Sequence, residues 1–395
     1  MICSICKSNN TDLLLDYGQY PYFTVPLKKN DKKKILAQYS KDQLVSKLKY
    51  TACKDCGHVY INQIPDQNII DDLYSNYYSY PSPLKGEFDP IRDNRFIQIF
   101  QDQIHPICKK DNLDNVLEVG CYDGYILNQL QKDGYNVTGC DPSVGADIGL
   151  AFGLNIQKEF FDPINYSKNG SLFDIVISRH FIEHTINPYE FINSLKSVLF
   201  DNGLLILETP NIQYFIKKGL LEVFSLQHIT LFTATSLKIL MIKAGLDVIL
   251  IQKTFDNLIV IAKKSNKHDS INLESFAYII SQFTGRVIDN NKRINNQINN
   301  YLNSGNDIAI WGAGGFGIAA LTLYSIPSSK IKYFIDSDPK KWGMEYLNYK
   351  IPIISPEKAK QLQPDLIIIT SMYSQSIKRQ IKGMNFQSSV LTMFQ

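Results

Sequence analysis

Apolar runs alternate with helical patterns through the middle of the chain, beginning near Asn115. The runs VLEVG, NVTGC, FDIVISR and GLLILE are separated by segments with apolar residues at helical spacing, among them residues 188–199. Strands that alternate with helices favour a parallel-rich sheet covered on both faces. Two later apolar runs, at residues 248–253 and 258–263, predict an antiparallel hairpin at the edge of that sheet.

Two further patterned regions flank this sheet. An amphipathic pattern over residues 89–109 predicts a helix before the first strand, and a polar, Asn-rich stretch at residues 265–304 predicts a long bridging helix. A second alternating unit begins at DIAIWGAGGFG and continues through IKYFIDSDP and PDLIIITS. The predicted fold class is therefore α/β, with domains at residues 1–65, 66–265 and 266–395.

Length and composition agree with this organisation. A chain of 395 residues exceeds what one hydrophobic core usually holds, and 44% hydrophobic with 20% charged residues is typical of a globular protein. The 41 basic and 38 acidic residues leave a net charge of +3, which favours a small-molecule substrate over nucleic acid or an acidic membrane. The sequence shows neither a basic leader nor an apolar run of about 20 residues, so we expect a cytoplasmic protein.

Four of the seven cysteines form two Cys-x-x-Cys pairs in the first part of the chain. Cys3 and Cys6 are one pair, and Cys53 and Cys56 are the other. Thiolates at this spacing are typical of a closed, tetrahedral zinc ribbon, whose role is structural because no coordination position stays open. The alternative is four free or buried cysteines without a metal. We expect His58, beside the second pair, to be exposed rather than to be a ligand.

The stretch LEVGCYDGYIL joins an apolar strand to a helix through a glycine-bearing turn. In such units the turn after the first strand binds a nucleotide-like ligand, and an acid that ends the second strand binds ribose hydroxyls. Gly120 and Gly124 form the turn, and Asp141 ends the next strand. Glu118 and Asp123 would repel a pyrophosphate but suit the amino group of a cationic methionine moiety. This combination indicates S-adenosylmethionine (SAM) as the ligand.

The same residues resemble the motifs of class I methyltransferases, which fold as a Rossmann-like sheet, over residues 115–264. The E-x-G-x-x-x-G turn, the strand-two acid and the stretch FDIVISRHFIEHTINP carry the resemblance. It implies that Asp141 binds the ribose, that Pro142 and Phe161 border the adenine, and that Ser178 and Arg179 join Gly120 at the methionine end. The alternative is a nicotinamide-binding fold, which the missing third glycine disfavours. The candidate cofactor-binding residues are Glu118, Gly120, Cys121, Asp123, Gly124, Asp141, Pro142, Phe161, Ser178 and Arg179.

Nearly the whole chain resembles the sugar C-methyltransferase family in its order of segments. A zinc ribbon, a tyrosine-rich segment and a methyltransferase unit are followed by a second Rossmann-like unit with WGAGGFG and FIDSDPKKWG. That family acts on thymidine-diphosphate-linked keto-deoxysugars, and its chemistry needs a base, such as an imidazole, to remove the proton beside the ketone. The resemblance implies that His228 is this base. It places Gln227, His180 and Tyr80 at the other polar positions, with Tyr78 as the alternative to Tyr80.

Two positions depart from the family pattern. Gln227 stands where a glutamate is usual, and Ser225 stands where a tyrosine is usual. The partner that would orient His228 and a donor to the enolate oxygen are therefore missing from these positions. A hydroxyl acceptor needs only one base, and RHFIEH at residues 179–184 contains further candidates. O-methylation of a sugar hydroxyl is accordingly the alternative to C-methylation.

A second glycine motif opens the C-terminal unit. Gly312, Gly314 and Gly317 follow an apolar run, and Asp336 ends the next run at the spacing of a dinucleotide-binding unit. Taken alone, this motif favours a nicotinamide-dependent sugar oxidoreductase. The glycines can instead serve only the turn and the helix–strand contact, or the domain can contact substrate. A scaffold protein without catalysis is the third possibility that the sequence leaves open.

Overall fold

The computed structural model describes residues 2–77, 81–87, 90–168, 172–254, 256–265, 275–302, 305–324, 326–371 and 373–393. The chain divides into two units. The first unit consists of Met1–Leu14, Tyr50–Ile216 and Gln227–Ile280, and the second of Leu15–Lys49, Lys217–Leu226 and Ser281–Gln395. Both cysteine pairs and the first glycine turn lie in the first unit, and the second glycine turn lies in the second unit.

The described residues contain 16 strands in three sheets. In chain order the strands are β1 Thr11–Pro21, β2 Val45–Cys53, β3 Val59–Ile61, β4 Asn115–Val119, β5 Asn136–Cys140, β6 Ile156–Gln157, β7 Phe173–Arg179, β8 Leu199–Pro210, β9 Thr230–Leu231, β10 Leu246–Lys253, β11 Asn257–Lys264, β12 Ile308–Trp311, β13 Ile331–Ile335, β14 Ile353–Ile354, β15 Leu366–Ile369 and β16 Ser389–Thr392.

The α-helices of the described residues connect these strands. They are α1 Lys29–Gln38, α2 Gln67–Asp72, α3 Ile91–Ile99, α4 His105–Asp111, α5 Tyr125–Lys132, α6 Gly145–Ala151, α7 Pro163–Lys168, α8 Pro188–Ser197, α9 Ile212–Lys218, α10 Ala234–Lys243, α11 Ala277–Leu302, α12 Gly315–Leu323, α13 Pro356–Leu362 and α14 Ser374–Gly383. Within this part of the chain, no helix has both the length and the apolar character needed to cross a bilayer.

The largest sheet has seven strands in the order β10-β11-β8-β7-β4-β5-β6. Strands β4 to β8 pair in parallel, and β11 runs antiparallel to both β8 and β10. Successive residues of β4 point to opposite cores, because Leu117 and Val119 belong to one buried cluster and Val116 to the other. The predicted α/β class, with a class I methyltransferase Rossmann-like sheet covered on both faces and ending in an antiparallel hairpin, is confirmed.

The helix predicted over residues 89–109 is one helical segment with a defect in the middle. Helix α3 continues into a π-helical turn, Phe100–Ile104, and then into α4. Pro106 is the second residue after this turn, and a proline has no N–H to donate to the preceding turn of a regular helix. The predicted bridging helix forms as α11. The helix predicted over residues 188–199 ends at Ser197 because Leu199 already belongs to β8.

The second unit contains a smaller sheet in the order β14-β13-β12-β15-β16, with every pair parallel. Its glycine turn follows β12 and leads into α12. Gly312 has a φ of +119°, and a Cβ on Gly317 would lie 2.3 Å from the carbonyl oxygen of Gly312. The turn and the helix–strand contact therefore account for glycine at these two positions without any ligand.

We expect Gly317→Ala to destabilise the second unit by about 1–3 kcal/mol, because the new methyl group would overlap the Gly312 carbonyl. The matched control is Gly285→Ala in helix α11 of the same unit, where a Cβ meets nothing within 4 Å. That change should stabilise the unit by about 0.5–1 kcal/mol, because alanine is the better helix former. Denaturant unfolding of both full-length variants measures the difference; equal stability of the two would contradict the packing argument.

Candidate functional site

The first glycine turn forms at the carboxyl end of β4, in the centre of the seven-stranded sheet. Gly120 and Gly124 have φ values of +80° and +75°, a region that L side chains rarely adopt. A Cβ on Gly120 would lie 2.8 Å from the ring of Phe181, and one on Gly124 would lie 2.6 Å from Leu154. Both positions therefore require glycine, which holds the backbone of the turn open at the end of the strand.

Asp141 lies at the end of β5, where its carboxylate accepts hydrogen bonds from two backbone amides. Oδ2 accepts from the amide of Tyr122 at 2.8 Å, and Oδ1 accepts from the amide of Ser143 at 2.9 Å. A carboxylate has about four lone-pair sites, so both oxygens keep capacity for ribose hydroxyls. Pro142 and Phe161 nearby are only partly buried, and the ring of Phe161 lies 5.7 Å from that of Tyr166.

A pocket opens beside the turn, and several of the predicted residues line it together. Its lining consists of Pro83, Asp93, Glu118, Gly120, Cys121, Tyr122, Asp123, Tyr125, Ile126, Arg179 and His180. The other predicted cofactor residues lie outside this lining. Ser178, for example, is buried and donates from its hydroxyl to the carbonyl oxygen of Val119 at 3.2 Å, which ties β7 to β4.

Glu118 and Arg179 dominate the electrostatics of this pocket. Glu118 is 2% exposed, and its Oε2 makes no hydrogen bond within the described part of the chain. Burial raises the pKa of Glu118 to about 8, although the Arg179 guanidinium opposes this shift. Arg179 donates to Glu208 Oε2 and to Asp93 Oδ1, at 2.8 and 2.9 Å, and lies 4.4 Å from the centre of the Phe96 ring. Glu118 Oε2 is thus a buried carboxyl oxygen in this pocket that a cationic ligand could bind.

Asp123 is already engaged by the protein. Its Oδ2 accepts from the Ser82 hydroxyl at 2.6 Å and from the Leu84 amide at 3.1 Å. Its Oδ1 accepts from the Tyr125 amide at 3.0 Å, at the first residue of α5. This carboxylate therefore fixes residues 82–84 over the turn, whereas Glu118 has an oxygen to spare.

A group of histidines lies beside the pocket at the carboxyl ends of β7 and β8. His180 has a left-handed φ of +51°, and its Nδ1 lies 3.4 Å from Glu183 Oε1. The rings of His184 and His228 are 5.0 Å apart, and His184 Nδ1 lies 2.8 Å from the carbonyl oxygen of Gln227. The structure therefore brings His180, Gln227 and His228 into one neighbourhood.

From the described part of the tyrosine-rich stretch, Tyr74 contacts this group, and sequence reasoning did not single it out. Its hydroxyl donates to Gln227 Oε1 at 3.3 Å and lies 3.3 Å from His184 Nδ1. Tyr80 and the alternative Tyr78 lie outside the described residues. The tyrosine-rich stretch was a signal that a phenol belongs here, but spacing along that stretch does not identify which one.

Burial favours the neutral form of His180 and His184. It lowers the pKa of His184 to about 3, and it lowers the pKa of His180 well below its ordinary value. Burial also raises the pKa of Glu183 to about 7. Neutral imidazoles near pH 7 each carry a lone pair, so they can accept a proton or coordinate a metal.

The four cysteines converge in the first unit. Cys3 and Cys56 have sulfur atoms 3.7 Å apart, those of Cys6 and Cys53 are 3.5 Å apart, and all four lie within 4.8 Å of one another. Thiolates bound 2.3 Å from a tetrahedral zinc would stand about 3.8 Å apart, so this set fits that ion.

The expectation that His58 is exposed was wrong. It is 1% exposed, its Nδ1 lies 3.6 Å from Cys3 Sγ, and its Nε2 lies 2.5 Å from Thr230 Oγ1. Strand β3 begins at Val59 and pairs with both β2 and β9, which encloses the histidine between the thiols and Phe232.

The second glycine turn holds its acid much as the first one does. Asp336 Oδ2 accepts from the amide of Ala313 at 2.8 Å, and Oδ1 accepts from the amide of Asp338 at 2.9 Å. One difference is Lys341, whose ammonium lies 3.0 Å from Asp336 Oδ2. This ion pair competes with ribose hydroxyls for the carboxylate, which Asp141 does not experience among the contacts described here.

Among curated proteins, the chain is similar to ubiquinone biosynthesis O-methyltransferases. It is 31% identical to that of Rickettsia bellii over 136 residues, which are 32% of this chain and 55% of the relative. It is 28% identical to that of Histophilus somni over 138 residues, 32% of this chain and 56% of the relative. The chain thus spans about half the length of these curated relatives.

A crystal structure of magnesium protoporphyrin IX methyltransferase from Synechocystis with bound SAM superposes with a TM-score of 0.37 at 15% identity. The superposition covers 52% of this chain and 99% of that one. Family models match two stretches of the chain: a methyltransferase domain at residues 92–251 and a C-methyltransferase C-terminal domain at residues 255–390. The first stretch contains the glycine turn, Asp141 and the histidine group, and the second contains the smaller sheet up to Val390 in its strand β16. The protein therefore carries a SAM-dependent methyltransferase domain followed by a C-methyltransferase C-terminal domain.

Proposed function

We propose that this protein transfers a methyl group from SAM to a carbon atom of a nucleotide-linked keto-deoxysugar. The observation that carries the proposal is the group of histidines beside the pocket of a methyltransferase domain, in a chain that continues into a C-methyltransferase C-terminal domain. The segment order that resembles the sugar C-methyltransferase family supports the choice of a sugar. A nucleotide-linked sugar is also a small substrate, as the near-neutral net charge favours.

The pocket and the turn divide the binding of SAM between them. Asp141 accepts hydrogen bonds from the ribose hydroxyls through the lone pairs that the amides of Tyr122 and Ser143 do not use. Glu118 takes the ammonium of the methionine moiety, which supplies the cationic partner that its buried Oε2 lacks. Pro142 and Phe161 border the adenine, and Gly120 lets the ligand approach the backbone. SAM, when bound, supplies an electrophilic methyl group on a sulfonium sulfur.

The histidine group supplies the base for carbon methylation. His228 removes the proton from the carbon beside the ketone, and the electrons of that C–H bond form the enolate. The enolate carbon then bonds to the methyl carbon as its bond to sulfur breaks, and the imidazolium of His228 returns its proton to solvent. Ser225 and Gln227 stand where the family pattern has a tyrosine and a glutamate. Tyr74 and His180 are therefore the candidate donors to the enolate oxygen.

O-methylation of a sugar hydroxyl is the second candidate. The curated relatives are named as O-methyltransferases, and Gln227 stands where the sugar C-methyltransferase pattern has a glutamate. A hydroxyl proton needs only one base within hydrogen-bond reach, which His228 or His180 can provide. The two candidates differ in one observable, since only carbon methylation labilises a C–H bond.

The four cysteines hold a structural zinc ion in this proposal. The donor set is closed, so the metal stabilises the fold around the ribbon and takes no part in methyl transfer.

The strand-two acids of the two units provide a matched test of the cofactor site. We expect Asp141→Ala to weaken binding of S-adenosylhomocysteine by about 100-fold, because two charge-assisted hydrogen bonds to ribose are lost. Asp336 accepts the same kind of backbone hydrogen bonds in the second unit. Its replacement, Asp336→Ala, should leave the affinity for S-adenosylhomocysteine unchanged. Titration calorimetry measures both. NADH binding that survives Asp141→Ala and fails in Asp336→Ala would instead support a nicotinamide-dependent oxidoreductase.

Binding of S-adenosylhomocysteine at pH 7 should release up to one proton from Glu118. Burial keeps this acid protonated below its pKa of about 8, and the ligand ammonium favours its ionised form. Calorimetry in buffers of different ionisation enthalpy measures the release, which Glu118→Gln should abolish while weakening binding by about 10- to 100-fold.

In the protein without ligand, ionisation of Glu118 should lower the stability of the folded state. An ionised Glu118 is a cost to the folded state, so wild-type stability falls as pH rises from the unfolded pKa near 4.5 through 8. Glu118→Gln should therefore unfold at a higher temperature than wild type at pH 8, and this difference should vanish near pH 4. Equal proton release in wild type and variant would exclude Glu118 as the ammonium ligand.

Hydrogen exchange into the sugar separates the two candidate reactions. With S-adenosylhomocysteine in place of SAM, wild-type protein in D2O should place deuterium on the carbon beside the ketone of a thymidine-diphosphate-linked keto-deoxysugar. His228→Ala should slow this exchange by about 10²- to 10⁴-fold. His105→Ala, which removes a histidine bonded to Tyr135 outside the group, is the control and should exchange normally. Methyl transfer by a wild type that shows no exchange would establish O-methylation instead.

A further inference from the structure

Three side chains of the histidine group form a cluster, and the proposed methyl transfer uses only one of them, His228, as its base. Glu183, His184 and His228 each place one donor atom within 4.8 Å of the others. Glu183 is 1% exposed, its Oε1 lies 3.4 Å from His180 Nδ1, and the charge of Arg92 partly offsets the effect of burial on its pKa. A buried carboxylate beside two imidazoles brings together the oxygen and nitrogen donors that a divalent transition metal binds.

The surrounding hydrogen bonds orient these side chains as they would around a metal. His184 Nδ1 lies 2.8 Å from the carbonyl oxygen of Gln227; since a carbonyl only accepts, Nδ1 carries the proton and Nε2 keeps the lone pair. The Thr209 hydroxyl donates to Glu183 Oε2 at 3.0 Å. Ligating histidines and carboxylates are typically fixed in this way by a carbonyl or a hydroxyl behind them.

We propose that Glu183, His184 and His228 form a second metal site, which takes a divalent transition metal of the zinc class. Two imidazoles and one carboxylate suit Zn²⁺, Co²⁺ or Ni²⁺, whereas Mg²⁺ and Ca²⁺ prefer oxygen donors alone. Donors in a tetrahedral nitrogen and oxygen set stand about 3.3 Å apart, so side-chain rotations of modest size close the cluster around the ion. Three protein ligands leave one coordination position open.

Occupancy of this site has a consequence for catalysis. Coordination uses the lone pair of His228 that would otherwise accept the substrate proton. The metal therefore switches off the base, and methyl transfer falls as the site fills. This consequence rests on the proposed function of His228, whereas binding of the metal does not.

Cobalt titration of the full-length, metal-free protein tests the site directly. The first equivalent should enter the four-cysteine site and give the intense thiolate-to-cobalt absorption in the near ultraviolet. A second equivalent should add visible bands without further thiolate absorption. Glu183→Gln and His184→Gln should each weaken the second equivalent by more than about 100-fold, since even changes behind the ligands cost 10- to 100-fold. His105→Gln, outside the cluster, should bind two equivalents like wild type.

A wild type that binds only one equivalent, or a second equivalent retained in both cluster variants, would overturn the proposed site. The activity arm adds zinc to protein whose first site is filled and follows methyl transfer. Loss of activity with the second equivalent supports the switch, and undiminished activity in the doubly loaded protein overturns it. If no sugar is methylated at all, the proposed function fails, and the cobalt stoichiometry still decides the metal site.

Discussion

A buried guanidinium holds together the carboxyl end of the large sheet beside the candidate site. Arg179 extends from the last residue of β7 and forms ion pairs with Glu208 of β8 and Asp93 of α3, with its flat face over Phe96. Three acids, including Glu118, thus share one cation in a region nearly closed to solvent. Removal of one partner from such a network leaves a buried charge uncompensated, which costs about 3–5 kcal/mol. The excess of acid over base is what makes the pocket receptive to a cationic ligand.

The sequence predicts those parts of the site whose residues lie close together along the chain. Gly120 and Gly124 are recognisable because a left-handed turn after a strand admits little else, and Asp141 is recognisable because it ends the next strand. Asp93 and Glu208 were missed, since they meet Arg179 only after three separate elements fold together. A signal for Glu208 did exist: an acid inside the apolar run GLLILETP needs a buried partner.

In the second glycine turn, the backbone geometry alone requires two glycines of a dinucleotide-binding motif. Its glycines satisfy the geometry of Gly312 and the close contact at Gly317, and these demands persist whether or not a nucleotide is bound. Asp336 keeps the same backbone contacts as Asp141 but is paired with Lys341. Sequence spacing indicates the demands of the backbone but does not indicate this ion pair, because Lys341 reaches the acid from a short 3-10 helix, Pro339–Lys341. His58 was misjudged for a related reason, since its burial depends on the distant strand β9.

The ribbon and the candidate base are joined by a short path through the fold. Strand β3, which begins three residues after Cys56, pairs with β9, which begins two residues after His228. The Tyr50 hydroxyl donates to the carbonyl oxygen of His228, and the amide of Ile61 donates to the carbonyl oxygen of Ile229. The thiol cluster is therefore part of the wall that carries the base rather than an appendage. Substitutions at the four cysteines and at His228 should accordingly occur together in evolution. A relative that lost the cysteines would need other contacts to fix the backbone at His228.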